Sequence, residues 1–245
     1  MKKKIFLLHH LGLGDILVCN SLYRYYASQC DQLVLPTYTR NEKTLKSMLA
    51  DLDNVRLVSF PYPGGQELDL AIEHEKQGYD VVRIGSYTKG FLQDRSVRFD
   101  EEFYKQAGVD FQKRWDDFYC PRDTDAEQRL FNKLCGIGTE GKYIFLHEDR
   151  SRNLIINREL ISSKLKVVSP IPFNFHGHTN SYPFFDYRYI LENAAEIHCI
   201  ESSFCAFVEG LKLKNKKYAH RYARLQAAND FCHEFTYRTD WEIVR

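Results

Sequence analysis

The sequence predicts an α/β protein of two Rossmann-like parallel-sheet domains facing a cleft, because short apolar strands alternate with helix-length amphipathic segments and the alternation runs through the chain twice. Its 245 residues are enough for two compact domains, each with a core of its own. Hydrophobic residues at 44% and charged residues at 27% are ordinary globular usage, which excludes a disordered or fibrous chain.

The elements follow in order. Lys4 to Leu8 is a short apolar run; the lysines before it imitate the head of an export signal, but His9 and His10 end the run too early, so it reads as a strand. Leu11-Gly12-Leu13-Gly14-Asp15 is a glycine turn, and Ile16 to Ala27 has helical spacing. Gln32 to Leu35 reads as a strand, Glu42 to Ala50 as a helix, and Val55 to Phe60 as a strand ending at Pro61-Tyr62-Pro63-Gly64-Gly65. Leu68 to Gln77 is helical, Tyr79 to Ile84 a strand, and Phe99 to Ala107 and Thr124 to Leu134 are helical. The linker-like run Gly136-Ile137-Gly138-Thr139-Glu140-Gly141 sets the expected domains at 1–138 and 139–245. The second series has strands at Tyr143 to Leu146, Leu165 to Val168, Ile197 to Ile200, Lys217 to His220 and Trp241 to Val244. Its helices run from Asp186 to Ala195 and from Phe204 to Leu211. Strands joined through helices imply right-handed crossovers and parallel sheets.

Charge and cysteine content narrow the function. Lys and Arg total 34 against 33 Asp and Glu, a formal net charge of +1 that argues against a nucleic-acid partner. No apolar stretch approaches the roughly 20 residues of a membrane-spanning helix, so any membrane contact is expected to be peripheral. The seven cysteines, at 19, 30, 120, 135, 199, 205 and 232, form no C-x-x-C pair or metal-ligand spacing, which fits reduced thiols in a cytoplasmic protein.

Three polar segments fall at the carboxyl ends of expected strands, the edge where open α/β sheets bind ligands. The first is His9-His10-Leu11-Gly12-Leu13-Gly14-Asp15, where two glycines let backbone approach a ligand and a helix start favours an anion. His10, Gly12 and Gly14 form this glycine loop, and Asp15 is either a helix N-cap or a chemical group. The second is His147-Glu148-Asp149-Arg150-Ser151-Arg152, in which Arg150 and Arg152 either clamp a diphosphate or pair internally with their acidic neighbours. The third is Glu201-Ser202-Ser203, with Ser202 and Ser203 opening a helix as caps or as an anion cradle, and Glu201 poised to hold sugar or ribose hydroxyls. The loop between Pro170 and Pro183, with His176, is a candidate base-binding loop for which Phe173, Phe175 or Phe185 offers stacking surface; His176 and His178 lack a third placed ligand, and no metal site is expected.

These blocks in this order resemble the GT-B glycosyltransferase superfamily, especially heptosyltransferase-like proteins that open with a His-x-Gly-x-Gly-Asp element, matched here by Gly12, Gly14 and Asp15. Glu201-Ser202-Ser203 resembles the acidic-small-small turn that contacts donor diphosphate, and Arg150 or Arg152 stands where the family has a basic phosphate ligand. The resemblance implies a metal-independent, inverting transferase, with Asp15 as catalytic base, a nucleotide-diphosphate sugar as co-substrate in place of a cofactor, and a glycan or other hydroxyl acceptor. A GT-B-like sugar-nucleotide epimerase, or a non-catalytic nucleotide-sugar-binding module, would use the same donor pockets.

Overall fold

A computed structural model describes residues 3–171, 183–224 and 231–245. The chain divides into two units, Met1–Pro121 and Arg122–Arg245.

The first unit runs β1 (Lys4–Leu8), α1 (Leu13–Val18), α2 (Asn20–Ser28), β2 (Gln32–Tyr38), α3 (Thr39–Met48), β3 (Val55–Phe60), α4 (Glu67–Lys76), β4 (Asp80–Arg83), α5 (Phe99–Ala107) and α6 (Lys113–Asp116). Its sheet has the order β3-β2-β1-β4 with every pairing parallel. Central β1 is apolar on both faces because both are covered. Phe6 and Leu8 pack with Val34, Ala71 and Tyr79, and the His74 ring of α4 lies 4.5 Å from Phe6. Ile5 and Leu7, on the opposite face by strand alternation, are equally buried. The helix expected from Ile16 to Ala27 is broken into α1 and α2 at Cys19. The bonds Cys19 N to Asp15 O (2.9 Å) and Tyr23 N to Cys19 O (3.1 Å) carry the ladder across the break, so the apolar period does not change. Short α6 brings the buried Arg114 onto Asp100, and the Ser21 hydroxyl donates to the Arg114 carbonyl at 3.2 Å.

The second unit runs α7 (Thr124–Leu134), β5 (Tyr143–His147), β6 (Lys166–Val168), α8 (Arg188–Glu192), β7 (Glu196–Cys199), α9 (Ser203–Leu211), β8 (Lys216–His220) and β9 (Glu242–Val244). Its sheet is again parallel, in the order β6-β5-β7-β8-β9. Helix α7, expected in the first domain, belongs here: its Phe131 ring lies 5.0 Å from Tyr189 and 6.1 Å from Tyr143. Arg122 fastens this end of the unit by pairing with Glu127 and with Glu192, the latter at 2.9 Å. The boundary therefore falls before Arg122 and not at 138/139, and the glycine run only joins α7 to β5. Phe145, Phe184, Tyr187, Phe204 and Phe207 make an aromatic core. Buried Glu209 of α9 staples the last strand's approach: its carboxylate accepts from the Arg238 and Thr239 amides, the Thr239 hydroxyl and the Trp241 indole at 2.6–3.1 Å. Among the described residues no helix is long and apolar enough to cross a membrane.

Candidate functional site

In the first unit the polar groups gather where β1, β2 and β4 end. His9 is buried and donates from Nδ1 to the His10 carbonyl at 2.6 Å, with the Tyr23 hydroxyl at 3.1 Å from the same nitrogen; burial pushes its pKa down to about 4. His10 accepts at Nε2 from the Ser86 amide at 2.8 Å and has the Ser86 hydroxyl at 3.0 Å. A backbone N–H can only donate, so Nε2 is bare and the imidazole proton sits on Nδ1. Burial lowers this pKa to about 4 as well, which keeps the ring neutral. The loop after β4 is shaped to that ring: Gly85 has φ +72°, and a Cβ there would stand 2.5 Å from His10 Nε2. The edges of Tyr87, Phe91 and Phe103 close around it.

Helix α1 begins with Gly12 as its N-cap, so Asp15 is not the cap but lies in the first turn. Its carboxylate folds back over Gly12, and a Cβ on Gly12 would sit 2.7 Å from Asp15 Oδ2. Gly14 is the second residue of the helix. Asn41 of α3 steadies the loop from below by donating to the Leu11 carbonyl at 2.9 Å. A neighbouring rim was not singled out in the sequence. The Arg40 guanidinium lies 4.0 Å from the centroid of the Tyr62 ring, which is 60% exposed, and Tyr38 meets the same ring edge-on. Only an aromatic in a Pro-Gly-Gly turn next to a strand end could have signalled it.

In the second unit two expected segments meet. β5 and β7 are paired neighbours, with His147 opposite Cys199 and the Ile200 amide donating to the His147 carbonyl at 3.1 Å. The chain from β5 carries Arg150 and Arg152, and the chain from β7 carries Glu201, Ser202 and Ser203. His147 Nδ1 and Ser202 Oγ are 2.9 Å apart, which joins the two segments at one end of the sheet. Ser202 occupies the N-cap of α9, yet its side chain caps nothing, and Ser203 is the first helical residue. His147 leans on Phe204 with ring centroids 4.7 Å apart, and burial holds its pKa at about 4.

Both arginines are internally paired: Arg150 Nε is 2.8 Å from Glu148 and Arg152 Nε is 2.6 Å from Asp149. Each arginine thus has one acidic neighbour as its partner, the internal pairing that the segment allows. Burial would raise the pKa of Glu148, but Arg150, the Ile156 amide and Arg158 outweigh it and lower it. Asp149 is lowered in the same way by Ser151 and Arg152. Side-chain exposures of 77% for Arg150 and 57% for Arg152 leave both heads open to exchange partners.

Glu201 lies elsewhere. It is 1% exposed, and its Oε1 accepts from Arg221 at 2.7 Å, Tyr237 at 2.8 Å and the Phe235 amide at 3.3 Å. It holds the turn beneath the serines and offers no open oxygen to a ribose. Phe185 is likewise core, packed on Phe184 and Phe207, and presents no stacking face to a base. Phe173, Phe175, His176 and His178 lie outside the described residues. Among the described residues, no group of three or more His, Cys, Asp or Glu is placed to hold a metal ion.

No protein-family model matches the chain, and no curated protein matches it in sequence. Solved structures do. The glycosyl transferase family 9 structure from Veillonella parvula is similar with a TM-score of 0.56 at 10% identity, over 99% of this chain and 87% of that one. ADP-heptose lps heptosyltransferase II from E. coli gives 0.53 at 12% identity, over 89% and 85%. The iron-containing dodecameric glycosyltransferase TibC from enterotoxigenic E. coli gives 0.51 at 12% identity over 89% of this chain, which spans only 58% of TibC. At these identities the likeness is one of fold, and the fold is GT-B-like: two parallel-sheet α/β units of the kind found in these glycosyltransferases.

Proposed function

We propose that the chain is a glycosyltransferase that moves a sugar from a nucleoside-diphosphate donor to an acceptor hydroxyl, with inversion and without a metal ion. The observation that carries this reading is the meeting of the arginine loop and the serine turn at the carboxyl edge of the second sheet, joined by the 2.9 Å contact between His147 and Ser202. Two cations and a helix start at one strand-end edge suit a diphosphate. The shared fold supports the same reading, since one of the similar structures is named for an ADP-heptose heptosyltransferase.

In this reading the donor diphosphate lies against Arg150, Arg152, Ser202 and Ser203. The arginine ends of the pairs to Glu148 and Asp149 are more than half exposed, and Glu148, 7% exposed, keeps Arg158 and the Ile156 amide when Arg150 turns to a phosphate. Asp15 takes the proton of the acceptor hydroxyl as its oxygen attacks the anomeric carbon. The bond from that carbon to the diphosphate oxygen breaks, and its electron pair leaves with the nucleoside diphosphate. Charge on the leaving group is met by the arginines and the serine turn, the task a metal ion performs elsewhere. Attack opposite the leaving group inverts the centre.

The test is a thermal-shift screen of ADP-, UDP- and GDP-sugars, followed by measurement of nucleoside-diphosphate release with mixed hydroxyl acceptors. Selective stabilisation and acceptor-dependent release are expected, because a ligand that binds only the folded state raises the melting temperature. Binding without turnover would make the chain a sugar-nucleotide-binding module, and a changed sugar without an acceptor would make it an epimerase.

A further inference from the structure

His147 entered the sequence reading only as the first residue of a polar segment, but the geometry points to more. We propose that His147 is a positioning residue of the donor site, holding the Ser202 hydroxyl off the helix it would ordinarily cap and onto a phosphate oxygen of the nucleoside diphosphate. This rests on the donor assignment proposed above.

Three observations carry it. Serine at an N-cap normally accepts from the first amides of its helix. Ser202 holds that position in front of α9 and makes no such bond, because its Oγ is taken up by His147 Nδ1 at 2.9 Å. The His147 backbone is held in β5 against β7 by the Ile200 amide, opposite Cys199, and Phe204 backs the imidazole with ring centroids 4.7 Å apart. A ring backed in this way favours the serine rotamer that keeps the 2.9 Å contact.

The third observation is the hydrogen count. Burial keeps the ring neutral, so it has one N–H and one bare nitrogen. The contact with Ser202 consumes one hydrogen. If Nδ1 carries the ring proton and donates, the Ser202 O–H remains to donate outward; if Ser202 donates to Nδ1, the ring proton is on Nε2, which has no partner among the described residues. Only the first arrangement leaves the Ser202 O–H, an uncharged donor, for a phosphate oxygen, which can only accept. Its contribution should resist salt, whereas that of exposed arginines is screened.

The experiment is calorimetry with ADP, UDP and GDP on the full chain, continued with whichever binds the wild type most tightly and with its parent nucleoside as control. Ser202→Ala and His147→Leu should each weaken the diphosphate by about tenfold, the worth of one hydrogen bond to a charged group, and leave the nucleoside unchanged. The double variant should bind no more weakly than either single one, because both remove the same bond. His147→Asn, whose amide reaches the Ser202 hydroxyl from near the Nδ1 position, should restore binding. Should His147→Leu fail to fold, Ser202→Ala and His147→Asn, checked by thermal melting, still decide the matter: Ser202→Ala must lose affinity while His147→Asn keeps it. Wild-type affinity in His147→Leu, or fully additive losses in the double variant, would overturn the role of His147 while leaving the donor site standing. A wild-type protein that binds none of the three diphosphates would overturn both.

Discussion

Removing Arg150 and Arg152 together is the sharpest test of where a donor binds. In the free protein each head rests on a carboxylate, at 2.8 Å and 2.6 Å, but both side chains are more than half exposed. With the arginine ends in solvent each pair is screened to about 1 kcal/mol or less, although the carboxylate ends are only 7% and 17% exposed. A hydrogen bond to a charged group contributes about 1.5 to 3 kcal/mol. The net loss per arginine is then about 0.5 to 3 kcal/mol. In Kd for a nucleoside diphosphate, this is about twofold to a hundredfold if one arginine reaches the ligand and about fivefold to ten-thousandfold if both do. The variant also leaves Asp149 facing the phosphate without Arg152, which adds to the loss. Glu148 keeps Arg158 at 3.1 Å, so the loop should hold its shape. Calorimetry on Arg150→Ala, Arg152→Ala with a nucleoside diphosphate and its nucleoside measures the difference, and repeating it at higher salt should shrink it. Unchanged diphosphate affinity would remove the donor from this edge.

Three further outcomes follow from particular contacts. Gly12→Ala keeps an allowed backbone, since Gly12 has φ −67°, but puts a Cβ 2.7 Å from Asp15 Oδ2, so turnover should fall at nearly constant melting temperature and donor affinity; unchanged turnover would show that the carboxylate's position over Gly12 does not matter. Chelation with EDTA should leave turnover unchanged, and loss that is restored by manganese or magnesium would contradict leaving-group stabilisation by arginines alone. His9, His10, His147 and His220 have pKa values lowered by burial from 6.5 to about 4. Between those values the unfolded chain takes up protons that the folded one refuses. Stability is therefore complete above about pH 6.5 and falls on acidification, by about 1.4 kcal/mol per pH unit for each histidine fully engaged. A denaturant midpoint that stayed level from about pH 7 down to pH 5 would contradict this burial.

Much of the fold could be read from the sequence because strand alternation and helical period are local signals. Every expected strand is present, and their order gives two parallel sheets. The domain boundary was not legible, since Gly136 to Gly141 has linker composition whether it joins units or, as here, a helix to its own sheet. What assigns α7 is Phe131 against Tyr189, a contact across some sixty residues that no window of sequence contains. Helix α6 is too short to show a period. At the site, the three strand-end segments were visible as polar residues after apolar runs, but their internal division of labour was not. Glu201 looks the same in sequence whether it faces a sugar or Arg221, and the contact from His147 to Ser202 exists only because β5 and β7 are neighbours. The tautomer of His10 depends on the Ser86 amide, in a loop that carried no recognisable motif.

The measurement that bears most directly on the central claim compares wild type with Asp15→Asn in sugar transfer, with donor affinity and melting temperature taken on the same preparations. Turnover should fall by about two to four orders of magnitude, as removal of a general base requires, with donor Kd and fold unchanged and an inverted anomeric centre in the wild-type product. Transfer at the wild-type rate by folded Asp15→Asn would contradict it.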